Sequence, residues 1–127
     1  MKKIKFIVLI FVVLTLMIVT GCKEKNDVTG AVVMDDGFKE FEIIAKQWEF
    51  IPSKITVNQG DKVRLKVTST DVDHGVAIPQ FGVNQVAPVG QTVSVEFTAD
   101  KKGNFPLICS VYCGSGHMQH IGLLIVE

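Results

Sequence analysis

The sequence predicts an all-β fold, a Greek-key β-sandwich, in a chain of 127 residues. Three observations carry that expectation. Short apolar–polar alternations recur, as in Val63, Leu65 and Val67 set against Lys62, Arg64 and Lys66. Turn-forming clusters such as Asn58-Gln59-Gly60-Asp61 and Asp100-Lys101-Lys102-Gly103 separate them. Beyond the N-terminal apolar run, no stretch keeps the 3.6-residue period of a helix.

Taken in order, the chain begins with a segment that is not part of the fold. Met1-Lys2-Lys3-Ile4-Lys5 is basic, Phe6 to Val19 is apolar apart from Thr15, and Val19-Thr20-Gly21-Cys22 follows. Those are the features of a secretory signal, and the last four residues resemble a lipobox, which makes Cys22 the expected lipidation site. An uncleaved transmembrane anchor is the alternative, since the run approaches the minimum span of roughly 17 residues. Either way the domain is expected outside the cytoplasm, held to the membrane on its periplasmic or outer face. The expected division is 1–22 signal peptide with lipobox, 23–37 linker and 38–127 domain.

Within the domain, Phe38 to Phe50 reads as one strand, with Phe41, Ile43 and Ala45 alternating. Pro52 interrupts, and Ile55-Thr56-Val57 resumes in extended form. The run from Lys62 to Val67 is the clearest strand. A polar loop, Thr68 to Asp73, leads to His74, and a short apolar stretch follows from Gly75 to Val83. Val93, Val95 and Phe97 alternate with Thr92, Ser94 and Glu96. Phe105 to Ile108 extends toward Cys109, and Ile121 to Val126 is apolar enough for a central final strand.

Charge and cysteine content narrow the function. Lys2, Lys3 and Lys5 lie in the signal, leaving ten basic against thirteen acidic residues, a net of −3. Without a basic cluster, nucleic acid is not an expected partner; a mildly acidic domain suits a cationic one. Three cysteines in an exported chain leave an odd one. Lipidation accounts for Cys22, so Cys109 and Cys113 remain as a pair, and in an oxidising compartment such a pair is ordinarily a disulfide.

Here the pair sits in Cys109-Ser110-Val111-Tyr112-Cys113-Gly114-Ser115-Gly116-His117-Met118-Gln119-His120, so two imidazoles and a thioether follow closely. The only other histidine is His74. Thiolate sulfur with imidazole nitrogen selects copper or zinc, whereas magnesium and calcium take oxygen. A metal centre is therefore favoured over the disulfide.

Asp71-Val72-Asp73-His74-Gly75, Phe81-Gly82-Val83, Gly90, Phe97-Thr98-Ala99-Asp100 and Gly103, followed by Cys109 to His117, together resemble the CuA domain of cytochrome c oxidase subunit II; nitrous oxide reductase carries a related domain. Phe50-Ile51-Pro52 with Ile55-Thr56-Val57 and Gly60-Asp61 is similar to the opening of cupredoxins, and the resemblance spans residues 41–127. It implies a cupredoxin-like sandwich in which Cys109 and Cys113 bridge two coppers, His74 ligates one and His117 the other. The backbone carbonyl of Val111 occupies the place of a weak axial oxygen.

Two departures matter. The family's axial Met lies three residues after the loop histidine, where this chain has His120; its methionine is displaced to Met118. Imidazole at that place favours Cu(II) and lowers the potential, localises charge on one copper, or stays unbound. Many oxidase subunits also have Glu where this chain has Val111, and the magnesium contact that Glu supplies is absent.

The resemblance implies an electron carrier rather than an enzyme. It would take electrons from a donor such as cytochrome c or a small copper protein, either free-standing or beside an oxidase catalytic subunit. A copper-storage or copper-delivery lipoprotein, a mononuclear cupredoxin and a metal-free structural sandwich are the alternatives. Trp48 is expected in the core in preference to a place near the site. Asp71 or Asp73 is a candidate to orient His74, Gly114 and Gly116 are expected to make tight turns, and Tyr112 to pack beneath the loop.

Overall fold

In a computed structural model, residues 32–33 and 36–127 are described. The signal peptide, Cys22 and most of the expected linker lie outside the described residues. Among the described residues, ten strands form two five-stranded sheets: β1 (Val32–Val33), β2 (Phe38–Lys46), β3 (Glu49–Ile51), β4 (Lys54–Val57), β5 (Lys62–Ser69), β6 (His74–Ile78), β7 (Val83–Ala87), β8 (Thr92–Thr98), β9 (Gly103–Ile108) and β10 (Ile121–Val126). One sheet runs β1-β2-β5-β8 with β3 pairing β2; the other runs β4-β10-β9-β6-β7. The expected all-β sandwich is what the chain forms. Among the described residues no helix is long and apolar enough to cross a membrane.

Side-chain alternation decides which face each strand turns inward. On β5, Val63, Leu65 and Val67 are fully buried while Arg64 and Lys66 face outward. β2 presents Phe41, Ile43 and Ala45 to the same interior, and β10 answers from the other sheet with Leu124 and Val126. Each large side chain so buried stabilises the fold by roughly 1.5–3 kcal/mol. On the outer face Arg64 bonds Glu96 and Asp36, at 2.7 and 2.8 Å, and lies 4.3 Å from the Phe38 ring centroid.

Three segments differ from the sequence expectation. The predicted strand Phe38–Phe50 folds back on itself at Gln47–Trp48, so that Ala45 pairs with Phe50. Neither turn residue is a Gly, Pro, Asn, Asp or Ser, so no turn chemistry announces it. The apolar stretch after His74 becomes β6, a 3-10 turn at Pro79–Phe81 and a separate strand β7. Gly82, at φ 68°, makes that reversal. The end of the expected linker contributes β1, antiparallel to β2.

The pairing of β6 with β9 positions the site. They run antiparallel with Ala77 opposite Ile108. That register carries His74, three residues before Ala77, level with the chain just beyond Cys109. The β9–β10 loop and the first residue of β6 therefore meet at one end of the sandwich.

Candidate metal centre

The loop from Cys109 to His120 is closed at its neck, where the Cys109 N–H donates to the His120 carbonyl at 3.1 Å. Inside it, the His117 N–H donates to the Gly114 carbonyl and the His120 N–H to the His117 carbonyl. Those bonds form the 3-10 turn His117–Gln119 that carries the second imidazole back toward the thiols. Gly75 lets the loop lie close against β6. A Cβ there would stand 2.2 Å from Ser110 Oγ and 3.0 Å from two loop nitrogens.

Four donors converge. Cys109 Sγ lies 3.7 Å from Cys113 Sγ and 3.7 Å from His74 Nδ1, and Cys113 Sγ lies 3.6 Å from His120 Nδ1. The donor atoms of His74, Cys109, Cys113 and His120 are all within 4.8 Å of one another, and all four residues are buried. His117 Nδ1 also lies 3.6 Å from Cys113 Sγ, but the residue stands outside that group of four and is half-buried. The Val111 carbonyl reaches Cys109 Sγ at 3.1 Å. The two thiols are free. Met118 is 77% exposed, at the rim of the opening that Cys109, His117 and His120 also line.

Fixed partners hold the buried pole. Asp71 Oδ1 meets His74 Nε2 at 2.7 Å, which aims Nδ1 at the sulfurs. Asp71 Oδ2 in turn accepts from the Gln47 N–H at 2.7 Å. Burial opposes the Asp71 charge, yet the Gln47 N–H, the His74 ring and the Val72 N–H together hold its carboxyl below the usual range. Asp73 does not touch the ring; it accepts from the Val89 N–H at 2.8 Å. His120 is packed between Phe50, at 4.1 Å between ring centroids, and His74, at 4.8 Å.

Several expectations are corrected here. Trp48 is not core: it is 40% exposed, and its indole N–H donates to the Cys113 carbonyl at 3.3 Å beside a 2.6 Å bond from Gln47 Nε2. Trp48 stands at the tip of the reversal, and its ring lies on the ligand loop against Gly114 and Gly116. Gly116 does lie in the tight turn closed by the bond from the His117 N–H to the Gly114 carbonyl, but what requires a glycine there is the Trp48 contact. Its φ is −90°, and a Cβ would stand 2.3 Å from the indole. Gly114, at φ 121°, does take a conformation that favours glycine. Tyr112 does not pack beneath the loop; it is 77% exposed. Sequence reasoning missed Gln47, which no motif marks.

The residues present fit copper. Burial, then the Cys109 thiol, push the Cys113 thiol up to about 11, so an uncharged pocket waits for a cation to displace protons. Burial, then the neighbouring His74, pull His120 down to about 4, which keeps its ring neutral and able to ligate. The Glu49 backbone favours the protonated His120 ring, yet no acceptor meets hydrogen-bond geometry at Nε2. Its other nitrogen, Nδ1, faces Cys113 Sγ at 3.6 Å and is the one placed to ligate.

Comparison with known proteins agrees. The family described as a cupredoxin-like domain matches residues 8–126. Cytochrome c oxidase subunit 2 of Thermus thermophilus is 32% identical over 85 residues, 67% of this chain and 63% of that protein. Nitrous-oxide reductase of Stutzerimonas stutzeri is 37% identical over 78 residues, 58% of this chain but 12% of the reductase. A chain of a heme-copper terminal oxidase dimer superposes with a TM-score of 0.67 at 28% identity, covering 99% of this chain and 95% of that one. The chain thus spans less than two thirds of these curated relatives. Sandwich, sulfur–imidazole cluster and matched segments lead to one assignment: the chain belongs to the cupredoxin-like family, as a copper protein related to the CuA domain of cytochrome c oxidase subunit II.

Proposed function

We propose that this protein is a membrane-tethered electron carrier with a dinuclear CuA-type centre. The observation that carries the reading is the thiol pair, 3.7 Å apart, with donors on both flanks. Burial sets the enclosed His74 and His120 apart from half-buried His117, and the Val111 carbonyl, beside Cys109 Sγ, is the proposed second donor on the His117 side. Cys109 and Cys113 would be shared by the two ions, and the donors of each flank would hold one ion each.

A copper pair bound there supplies a one-electron couple. The protein's part is to keep the donors in place between the two oxidation states. Asp71 fixes the His74 ring, Phe50 and His74 confine His120, and the neck bond from Cys109 to His120 closes the loop. With protein donors taking every position, no open site is left for bond-making chemistry, so the chain is not an enzyme on its own. Half-buried His117 is the flank nearest solvent and a redox partner. Cytochrome c or a small copper protein is the proposed donor, and an oxidase catalytic subunit a proposed acceptor. Lipidation at Cys22 is the proposed anchor, holding the 38–127 domain on the extracytoplasmic face beyond the 23–37 linker.

Copper reconstitution of the reduced chain tests this. Two coppers per chain, intense purple absorption and a mixed-valence paramagnetic signal spread over both ions are expected. One colourless, rapidly exchanging Cu(I) would instead fit storage or delivery, and a single blue copper a mononuclear cupredoxin. Cys22→Ser should release the chain from the membrane fraction; retention would remove the lipid anchor from the proposal.

A further inference from the structure

The buried flank has a property that the two-ion reading does not require: its donors suffice for a single ion. A tetrahedral zinc ion with Zn–S of about 2.3 Å and Zn–N of about 2.0–2.1 Å sets sulfur–sulfur edges near 3.8 Å and sulfur–nitrogen edges near 3.6 Å. The distances here are 3.7 Å between the sulfurs, 3.7 Å from Cys109 Sγ to His74 Nδ1 and 3.6 Å from Cys113 Sγ to His120 Nδ1. The other three edges, which the same tetrahedron sets at about 3.3–3.6 Å, are bounded here only at 4.8 Å, so zinc binding draws the two imidazoles further in. Two thiolates and two imidazoles make a closed S2N2 site, the donor set and shape that Zn(II) adopts.

We propose that His74, Cys109, Cys113 and His120 form a complete tetrahedral site for one Zn(II), with His117 left outside it. The residue that makes the difference is His120. A thioether there would leave three strong donors and one weak one; the imidazole supplies the fourth strong donor, so the second ion is no longer needed. This shares the donor pocket of the proposed copper centre but not its stoichiometry. Zinc has no redox couple, so a zinc-filled chain carries no electrons, and copper must displace zinc to restore it. Copper(II) binds nitrogen and sulfur donors more tightly than zinc, and that order sets the direction of exchange.

The test uses the reduced, metal-free full-length chain in detergent, titrated with Zn(II) and, as a coloured stand-in, Co(II). One equivalent of each is expected, and Co(II) should give the strong visible bands of a tetrahedral thiolate site. His120→Met should weaken zinc by at least about tenfold, the loss that even a supporting residue's removal causes at a metal site. His117→Ala should still take one zinc while its copper content falls. His74→Gln, measured alongside, repeats the His120 test at the opposite corner, and far-ultraviolet circular dichroism reports whether each variant folds. Two zinc equivalents, weak octahedral Co(II) bands, or a zinc loss in His117→Ala equal to that in His120→Met would overturn the inference. Copper titration separates the two readings. Two coppers without tight zinc sink this inference alone, and tight single zinc with only one copper sinks the dinuclear reading alone.

Discussion

The two flanks of the thiol pair are built differently. On one, His74 and His120 are wholly buried, tied to Asp71 and packed on Phe50. On the other, His117 is half-buried beside Tyr112 and Met118, each 77% exposed, and the second donor is a backbone carbonyl. The buried flank fixes geometry, because rings held by packing and a carboxylate cannot follow a change in the ion's preference. The open flank shortens the path to a partner. A single loop serves both because its neck is bonded at Cys109 and His120 while Tyr112 and Met118 reach solvent.

The comparison fails altogether if the bridge between the flanks goes. Cys113 Sγ lies within 3.7 Å of donor atoms of Cys109, His117 and His120. Cys113→Ser replaces a soft bridging donor with a hard hydroxyl, so copper should fall from two ions to at most one and the purple absorption should vanish. Metal analysis with visible spectroscopy reads this. A purple two-copper Cys113→Ser chain would mean that the sulfurs do not bridge.

The next effect sharpens the contrast by touching one flank only. Asp71→Asn keeps the shape and removes the charge that supports His74, and it sets an amide N–H2 or a poorer acceptor against the Gln47 N–H. Copper affinity should fall by roughly 10–100-fold, the usual consequence of removing a carboxylate behind a metal-bound histidine. In the paramagnetic spectrum the nitrogen coupling from His74 should change while that from His117 stays. A change at His117 instead would mean that the flanks are not independent.

How much of this was legible in the sequence depends on range. Alternation on β5, β8 and β10 is local, and each strand was readable from it. The thiols, His74 and the loop imidazoles were readable as a donor set because few other residue types make that combination. What alternation cannot report is which surface a side chain meets. Trp48 and Tyr112 are both aromatic, yet one rests on the loop glycines and the other stands in solvent. The choice depends on the Gln47–Trp48 reversal bringing residues about 65 positions apart into contact. The same reversal hid Gln47, whose backbone and side chain join Asp71 to the Cys113 carbonyl. Asp71 and Asp73 were equal candidates in sequence because both flank His74; only the β6 register separates them.

Acid should weaken the metal-free fold through the buried flank. In the metal-free fold His120 has its pKa depressed to about 4, below the unfolded value of 6.5, chiefly by burial and then by His74. Between those values the unfolded chain binds the extra proton and the folded chain does not, so stability falls as pH drops from about 6.5 toward 4. The full effect is on the order of 3 kcal/mol. His120→Gln should flatten that part of the profile in urea denaturation of the metal-free protein. An unchanged slope would place the responsible group elsewhere.

The smallest effects belong to the open rim, and their smallness is itself a test. Met118 follows His117 directly, and in the sequence it competes with His120 for the axial place. Its exposure leaves it few neighbours to lose, and conservative changes at such positions ordinarily alter stability by no more than about 0.5 kcal/mol. Met118→Leu keeps the bulk and removes the thioether. Copper count, visible spectrum and reduction potential should all stay as they are, whereas His120→Met should shift the potential upward, because a thioether favours Cu(I) over the imidazole it replaces. If Met118→Leu moved the potential as far as His120→Met, the loop would have to turn Met118 inward on metal binding. The buried and open flanks would then exchange a residue, and the rigid pole inferred from Asp71, Phe50 and the loop neck would not be rigid.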